Sequence, residues 1–196
     1  LVKYIKTDGG KHSFDFETFR RAVSLAVRFS DNINDISRAP LEEYKDSMTS
    51  KRRIGIGVLG LGSLHYILGI RYGSPESLKL IYSIFRCKAE SEIYASAMLG
   101  VEKGSFTSFD KDEYFNTLWW KNIDLAPEFK RNIESMGAMR NSHRSANAPT
   151  GNMSVYAEVV SGGIEPVFMK EYTRWVIVPE KDQAKLKEQG LVIPSA

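Results

Sequence analysis

The chain has 196 residues, 42% of them hydrophobic and 26% charged, with 27 Lys+Arg against 24 Asp+Glu for a net charge of +3. This is the profile of one soluble globular domain with apolar residues enough for a core, and it excludes a disordered or fibrous chain. No stretch reaches the roughly 18 apolar residues of a membrane span. The opening LVKYIKTDGG lacks the plan of a signal peptide, and the scattered basic excess forms no polyanion-binding stripe. We therefore expect a cytoplasmic protein with no membrane and no nucleic acid among its partners.

From Phe16 to Ile36 apolar residues recur every three or four positions, with Asp15 placed as an N-cap, which predicts an amphipathic helix. Leu41 to Lys51 is polar and reads as turn-rich. The Gly-dense apolar run Ile54 to Leu68 reads mostly as a second, buried helix ending at Gly69. Ser74-Pro75-Glu76 supplies an N-cap, a first-turn proline and a first-turn acid for a long helix towards Leu99.

Gly104 to Asp124 is aromatic without a period and reads as irregular, with one helical turn at most. Pro127 to Met136 predicts a short helix closed by Gly137, followed by an extended stretch, MRNSHRSANA. After the turn Pro149-Thr150-Gly151-Asn152 comes a short helix or tight loop from Met153 to Val160, broken by Gly162-Gly163. Tyr172 to Val178 reads as a strand and Glu180 to Gln189 as a solvated helix.

Gly55-Ile56-Gly57-Val58-Leu59-Gly60 fits the G-x-G-x-x-G spacing of a dinucleotide site. That fingerprint follows a hydrophobic strand, however, and here it follows Ser50-Lys51-Arg52-Arg53, which favours close helix packing through the glycines. Asn147-Ala148-Pro149-Thr150-Gly151-Asn152-Met153-Ser154 is more informative. A proline turn, a glycine and small polar residues at a helix start leave backbone N–H groups unpaired beside the positive end of the dipole, where an uncharged loop holds phosphate. Thr150 and Ser154 are candidate hydroxyl donors, and Asn152 either donates to an anion or caps the helix. An ordinary capping turn is the plainer alternative.

Cys87, the only cysteine, excludes an intrachain disulfide, a Cys-x-x-Cys redox pair and a Cys-rich zinc site, and reads as a small half-buried residue. His12, His65 and His143 show no metal-ligand spacing. Glu90 and Glu92 cannot share a helical face. Glu165, in a Gly-rich apolar setting, is the acid expected to be partly buried, with a structural hydrogen bond as its plain role. Lys51, Arg52 and Arg53 read as a solvated helix start, and Trp119 and Trp120 as core or subunit contact.

RRIGIGVLGLGSLHYILGIRYGS (Arg52 to Ser74), then NAPTGNMSVYAEVVSGGIEPVFMKEYTRWV (Asn147 to Val176), closely resembles the catalytic subunit of ribonucleotide reductases, and DFETFRRAVSLAVRFSDNINDI extends the likeness upstream. The resemblance implies an α/β fold, a helix-rich part of the family's ten-stranded barrel. It assigns residues 1–179 to a partial barrel domain and 180–196 to a C-terminal tail. It also implies that Ala148, Pro149, Thr150, Gly151, Asn152, Met153 and Ser154 hold the diphosphate of a ribonucleotide, with Asn147 and Glu165 as support. APTGN and SGGIEPVF look more like the adenosylcobalamin-dependent (class II) enzymes, so adenosylcobalamin is the implied cofactor of the complete enzyme. The implied partners are the ribonucleotide, the rest of the catalytic subunit, a second copy in a homodimer, and a thioredoxin-type reductant.

The family's chemistry needs a thiyl-forming cysteine in an N-x-C-x-E loop and two reducing cysteines. Cys87 lies in no such motif, so no catalytic residue is assigned to this chain, and the missing cysteines are expected upstream of Leu1 and beyond Ala196. The chain is thus expected to supply phosphate binding and scaffold to a larger or split enzyme and to be inactive alone. Two rivals stand beside this reading. One is a binding module that kept the APTG loop and lost the chemistry, and the other is a nicotinamide-dependent oxidoreductase built on Gly55, Gly57 and Gly60.

Overall fold

The carboxylate of Asp15 accepts the Thr18 amide at 3.1 Å and the Thr18 hydroxyl at 2.6 Å, and from this cap helix α1 runs over Phe16–Ile36. The computed structural model describes residues 1–157, 160–167 and 169. All of its named elements lie in one compact unit, Leu1–Pro166; of a second unit, Val167–Ala196, only Val167 and Met169 are described, and both are exposed. The expected strand Tyr172–Val178 and helix Glu180–Gln189 lie outside the described residues.

Ahead of α1, after a 3-10 turn at Val2–Tyr4, strands β1 (Ile5–Asp8) and β2 (Lys11–Phe14) form an antiparallel hairpin. Its two-residue turn is Gly9-Gly10, both at positive φ, as such turns require. No element was expected here, although the Gly-Gly pair is a hairpin signal.

Helix α1 packs lengthwise on α4 (Pro75–Lys103), which begins as predicted with Ser74 accepting the Ser77 amide. Phe19, Val23 and Val27 form the buried face of α1, and Asp31 continues that face one turn further on. Phe29, Ile33 and Ile36, also assigned to the apolar stripe, are exposed instead. Phe19 and Val23 join Leu61, Leu64, Ile84 and Cys87 in one core cluster. A second cluster gathers Ile93 and Ala97 of α4 with Phe106, Trp120, Leu125, Ile133 and Met139. Trp120 is buried within it, whereas Trp119 is 46% exposed.

Three segments differ from expectation. Residues 41–51 are no turn-rich stretch: Glu42–Lys51 is helix α2, with no buried residue. It shows no apolar period, and its ends carry the charges the helix dipole favours, Glu42 and Glu43 in the first turn and Lys51 in the last. The Ile54–Leu68 run is helical only over Leu61–Leu68 (α3). Its first part is extended and pairs in parallel with the stretch after Asn141, through a bridge between Ile56 and Ser145. Here Ile54 and Ile56 donate to the carbonyls of His143 and Arg144, and Ala146 donates back to Ile56. The glycines therefore serve a strand-to-strand approach and not helix packing. Finally, Gly104–Asp124 holds two short helices, α5 (Lys111–Asn116) and α6 (Leu118–Asn122), capped by Asp110 and Thr117. Helix α7, Pro127–Met136, ends at Gly137 as expected.

A buried polar network closes the unit. Asp31, fully buried, accepts from Arg52 Nε (2.9 Å), Asn141 Nδ2 (2.9 Å) and Arg140 Nε (3.1 Å). Arg52 also reaches Asp35 at 2.6 Å, and Asn141 exchanges hydrogen bonds with Ser96. Burial alone pushes the Asp31 carboxyl up, but the hydrogen bonds from Arg52 and Arg140 outweigh it and hold the net value below the ordinary range. Arg52 is thus no solvated helix start: it is the left-handed C-cap of α2 and almost wholly buried.

Candidate functional site

The parallel pairing between the strand through Ile56 and the strand through Ser145 carries the chain outward into the polar turn at residues 147–150. Lys88, buried in α4, braces this second strand: its ammonium donates to Ser145 Oγ at 2.5 Å and pairs with Glu92 at 2.7 Å. Burial holds the Glu92 carboxyl above its ordinary value despite the Lys88 charge. Glu90, two residues earlier, faces elsewhere and pairs with Arg86.

Asn147, Ala148 and Pro149 are exposed, and Thr150 is half-buried. Thr150 adopts the left-handed conformation (φ +53°) and is the N-cap of α8, Gly151–Tyr156, so this helix starts two residues earlier than expected and Asn152 is not its cap. The first bond of α8 runs from Ser154 N to Thr150 O at 2.9 Å. The amides of Gly151, Asn152 and Met153 precede that bond and face the positive end of the turn, with all three residues exposed. The hydroxyls are less free than the sequence suggests. Ser154 Oγ donates to the Gly151 carbonyl at 2.7 Å, which spends its proton inside the turn. Thr150 Oγ1 accepts the Gly163 amide at 2.7 Å and keeps its own proton to give away.

Gly162 and Gly163 form the seat under this turn. A β-carbon on Gly162 would lie 3.0 Å from the Pro149 carbonyl oxygen, and one on Gly163 would lie 3.1 Å from that of Ala148 and 2.7 Å from Glu165 Oε2. Gly163 also has φ +40°. Only glycine lets the two backbone segments meet here. Glu165 lies against this seat but is exposed, so the expectation of partial burial is not met.

In the G-x-G-x-x-G run the amides of Ile56 and Gly60 are engaged within the chain. At the start of α3, Gly60 N donates to Ser161 O at 2.8 Å, Ser63 N to Ser161 Oγ at 3.0 Å, and Leu61 N to Gly163 O at 3.5 Å. The helix-start donors Gly60, Leu61 and Ser63 are thus occupied by the chain itself. Sequence reasoning missed this contact because Ser63 and Ser161 stand 98 residues apart.

Cys87 is 5% exposed, more buried than expected, and burial pushes its thiol above the ordinary value. His65 is a satisfied core histidine, with Nδ1 against the Leu61 carbonyl at 2.8 Å and Nε2 against Ser77 Oγ at 2.8 Å. A cavity of about 520 Å³ lined by Glu92, Tyr114, Trp119 and Arg144 includes none of residues 147–154. Among the described residues no helix is long and apolar enough to cross a membrane.

Comparison with known proteins shows the family. The family model described as ribonucleotide reductase, barrel domain, matches residues 1–191. A vitamin B12-dependent ribonucleoside-diphosphate reductase of Mycobacterium tuberculosis (strain CDC 1551 / Oshkosh) is 31% identical over 83% of this chain and 21% of its own length. The protein of the same name from Thermoplasma acidophilum is 32% identical over 90% of the chain and 20% of its own length. A ribonucleoside-diphosphate reductase subunit alpha of Chlamydia pneumoniae is 28% identical over 97% of the chain and 20% of its own length. The chain thus spans about one fifth of the length of these relatives. With the family model covering nearly all of it, and with a helix-rich structure carrying a small sheet, consistent with part of an α/β barrel, the chain belongs to the ribonucleotide reductase barrel-domain family.

Proposed function

We propose that this chain is the section of a ribonucleotide reductase catalytic subunit that holds the substrate's diphosphate, in an enzyme that replaces the ribose 2'-hydroxyl with hydrogen by radical chemistry. The observation that carries the reading is the turn Ala148–Ser154, tied to Gly163 through the Thr150 hydrogen bond, with three exposed residues whose amides precede the first helical bond. Those amides donate to phosphate oxygens, the dipole of the turn adds partial positive charge, and Thr150 contributes its remaining hydroxyl proton. Asn147 supports the entry to the turn and Glu165 its seat.

Two of the relatives carry vitamin B12 dependence in their names, which supports adenosylcobalamin as the radical-starting cofactor of the complete enzyme. No cofactor-binding residues are visible among the described residues: His65 is buried and committed to Ser77 and Leu61, His12 pairs with Thr7, His143 meets the Ser142 hydroxyl, and Cys87 is buried. The radical and redox cysteines belong to other parts of the subunit. A second copy of the subunit and a thioredoxin-type reductant complete the assembly.

The test is CDP reduction with adenosylcobalamin and dithiothreitol, by this chain alone and with a polypeptide carrying the remaining barrel and its N-x-C-x-E loop. Activity only in the mixture is expected. A stable complex that binds CDP without reducing it supports the binding-module alternative instead, and activity from the chain alone contradicts the reading.

A further inference from the structure

Besides the backbone bonds from Gly60 and Leu61, segment 161–164 is tied to the rest of the unit by side chains that have no part in phosphate binding as described above. Ser63 and Ser161 form a reciprocal pair: Ser63 N donates to Ser161 Oγ at 3.0 Å, and Ser161 N donates to Ser63 Oγ at 2.8 Å. Three residues on from Ser161, the Tyr72 hydroxyl donates to the Ile164 carbonyl at 2.5 Å. Between these two anchors lies Gly163, whose amide is the donor to Thr150 Oγ1. The Tyr72 ring is itself packed on the buried imidazole of His65, 4.8 Å between centroids, and His65 is locked by the Ser77 and Leu61 contacts.

The consequence is a chain of fixed contacts from the N-terminal turn of α3 to the phosphate turn. We infer that Ser63, Ser161 and Tyr72 are positioning residues, which clasp segment 161–164 so that Gly163 presents its amide to Thr150 and holds the Ala148–Ser154 turn in the geometry that receives a nucleoside diphosphate. None of the three touches the ligand. Thr150 has a positive φ that a β-branched residue adopts only when its surroundings impose it, and the Gly163 amide is the group that does so. A turn held this way has its amides aligned before the ligand arrives, and loosening the clasp makes the ligand do the ordering.

This inference rests on the phosphate-turn reading, and the experiment separates the two. In the assembled reductase, kcat and KM for CDP are measured for Ser161→Ala, Ser161→Thr, Tyr72→Phe and Gly151→Glu. Each lost clasp hydrogen bond is expected to raise KM about three- to tenfold, the range of one net hydrogen bond, with kcat within about twofold. Ser161→Thr, which keeps the hydroxyl, is expected to restore KM. Tyr72→Phe removes one oxygen from a half-buried ring and leaves the fold intact, so a null result from it counts. If Gly151→Glu raises KM while Ser161→Ala and Tyr72→Phe leave it unchanged, or lower kcat alone, the clasp is wrong and the phosphate turn stands. If Gly151→Glu also leaves KM unchanged, the phosphate-turn reading falls and the clasp falls with it.

Discussion

Gly57 approaches Ala146 so closely that a β-carbon on Gly57 would lie 2.5 Å from the Ala146 carbonyl oxygen, a contact with backbone that cannot swing aside. The parallel bridge that leads into the turn at residues 147–150 depends on this approach. Gly57→Ala is expected to destabilise the chain by about 1–3 kcal/mol, the usual cost of overpacking a tight site. At Gly55 the nearest atom is the Ala146 side chain at 3.0 Å, and Gly55→Ala is expected to cost less. Pulse proteolysis across a urea series measures both, and equal stabilities for Gly57→Ala and the parent would contradict the packing.

Asp31 sits at the junction of α1, the end of α2 and the segment before the turn at residues 147–150, holding Arg52, Arg140 and Asn141. Asp31→Asn removes the charge and leaves two guanidinium groups facing a neutral amide in the interior. A loss on the order of 3 kcal/mol is expected by the same assay, because breaking a buried pair strands its partner. The exposed pair Arg28–Glu102 is the comparison, and Arg28→Ala is expected to cost less than about 1 kcal/mol. Similar losses at the two sites would contradict the network.

Much of the scaffold was legible because caps are local. Asp15 with Thr18 and Ser74-Pro75 announce α1 and α4 within a few residues. Helix α2 was illegible because nothing in it is buried, so no apolar period exists to be read. The Ile54–Gly60 run was taken for helix because a short apolar stretch reads the same in either state, and only its distant partner at Ala146 decides. For the site, Pro149-Thr150-Gly151 was visible as a turn at a helix start, a capping turn or a phosphate-binding one. Its seat on Gly163 and the commitment of the Ser154 proton were not, since both depend on how the chain returns after α8.

The hydrogen bonds from Lys6 and Thr18 hold the Asp15 carboxyl well below the ordinary carboxylate range. A carboxyl with a depressed value in the folded state stabilises the fold fully above its unfolded value, near 3.9, and loses that contribution as the pH falls through the folded value. The stability difference between the parent and Asp15→Asn is therefore expected to be constant from pH 7 to about pH 5 and to shrink on further acidification. A difference that stays constant down to pH 2 contradicts the cap.

Leu25, Phe29 and Ile36 on α1 and Met153, Val155 and Tyr156 on α8 are all more than half exposed in this section of the subunit. Taken alone, such a surface associates. Sedimentation velocity of the isolated chain is expected to show concentration-dependent oligomers, reduced by adding the remaining barrel. A monodisperse monomer at all concentrations would contradict it.

The most direct measurement of the central claim is equilibrium binding of CDP and of cytidine to the assembled reductase, with and without Gly151→Glu. The parent is expected to prefer CDP, and the substitution, which puts a carboxylate where phosphate approaches, is expected to remove about ten- to hundredfold of that preference while leaving cytidine affinity unchanged. An undiminished preference for CDP in the Gly151→Glu enzyme would show that the diphosphate is held elsewhere.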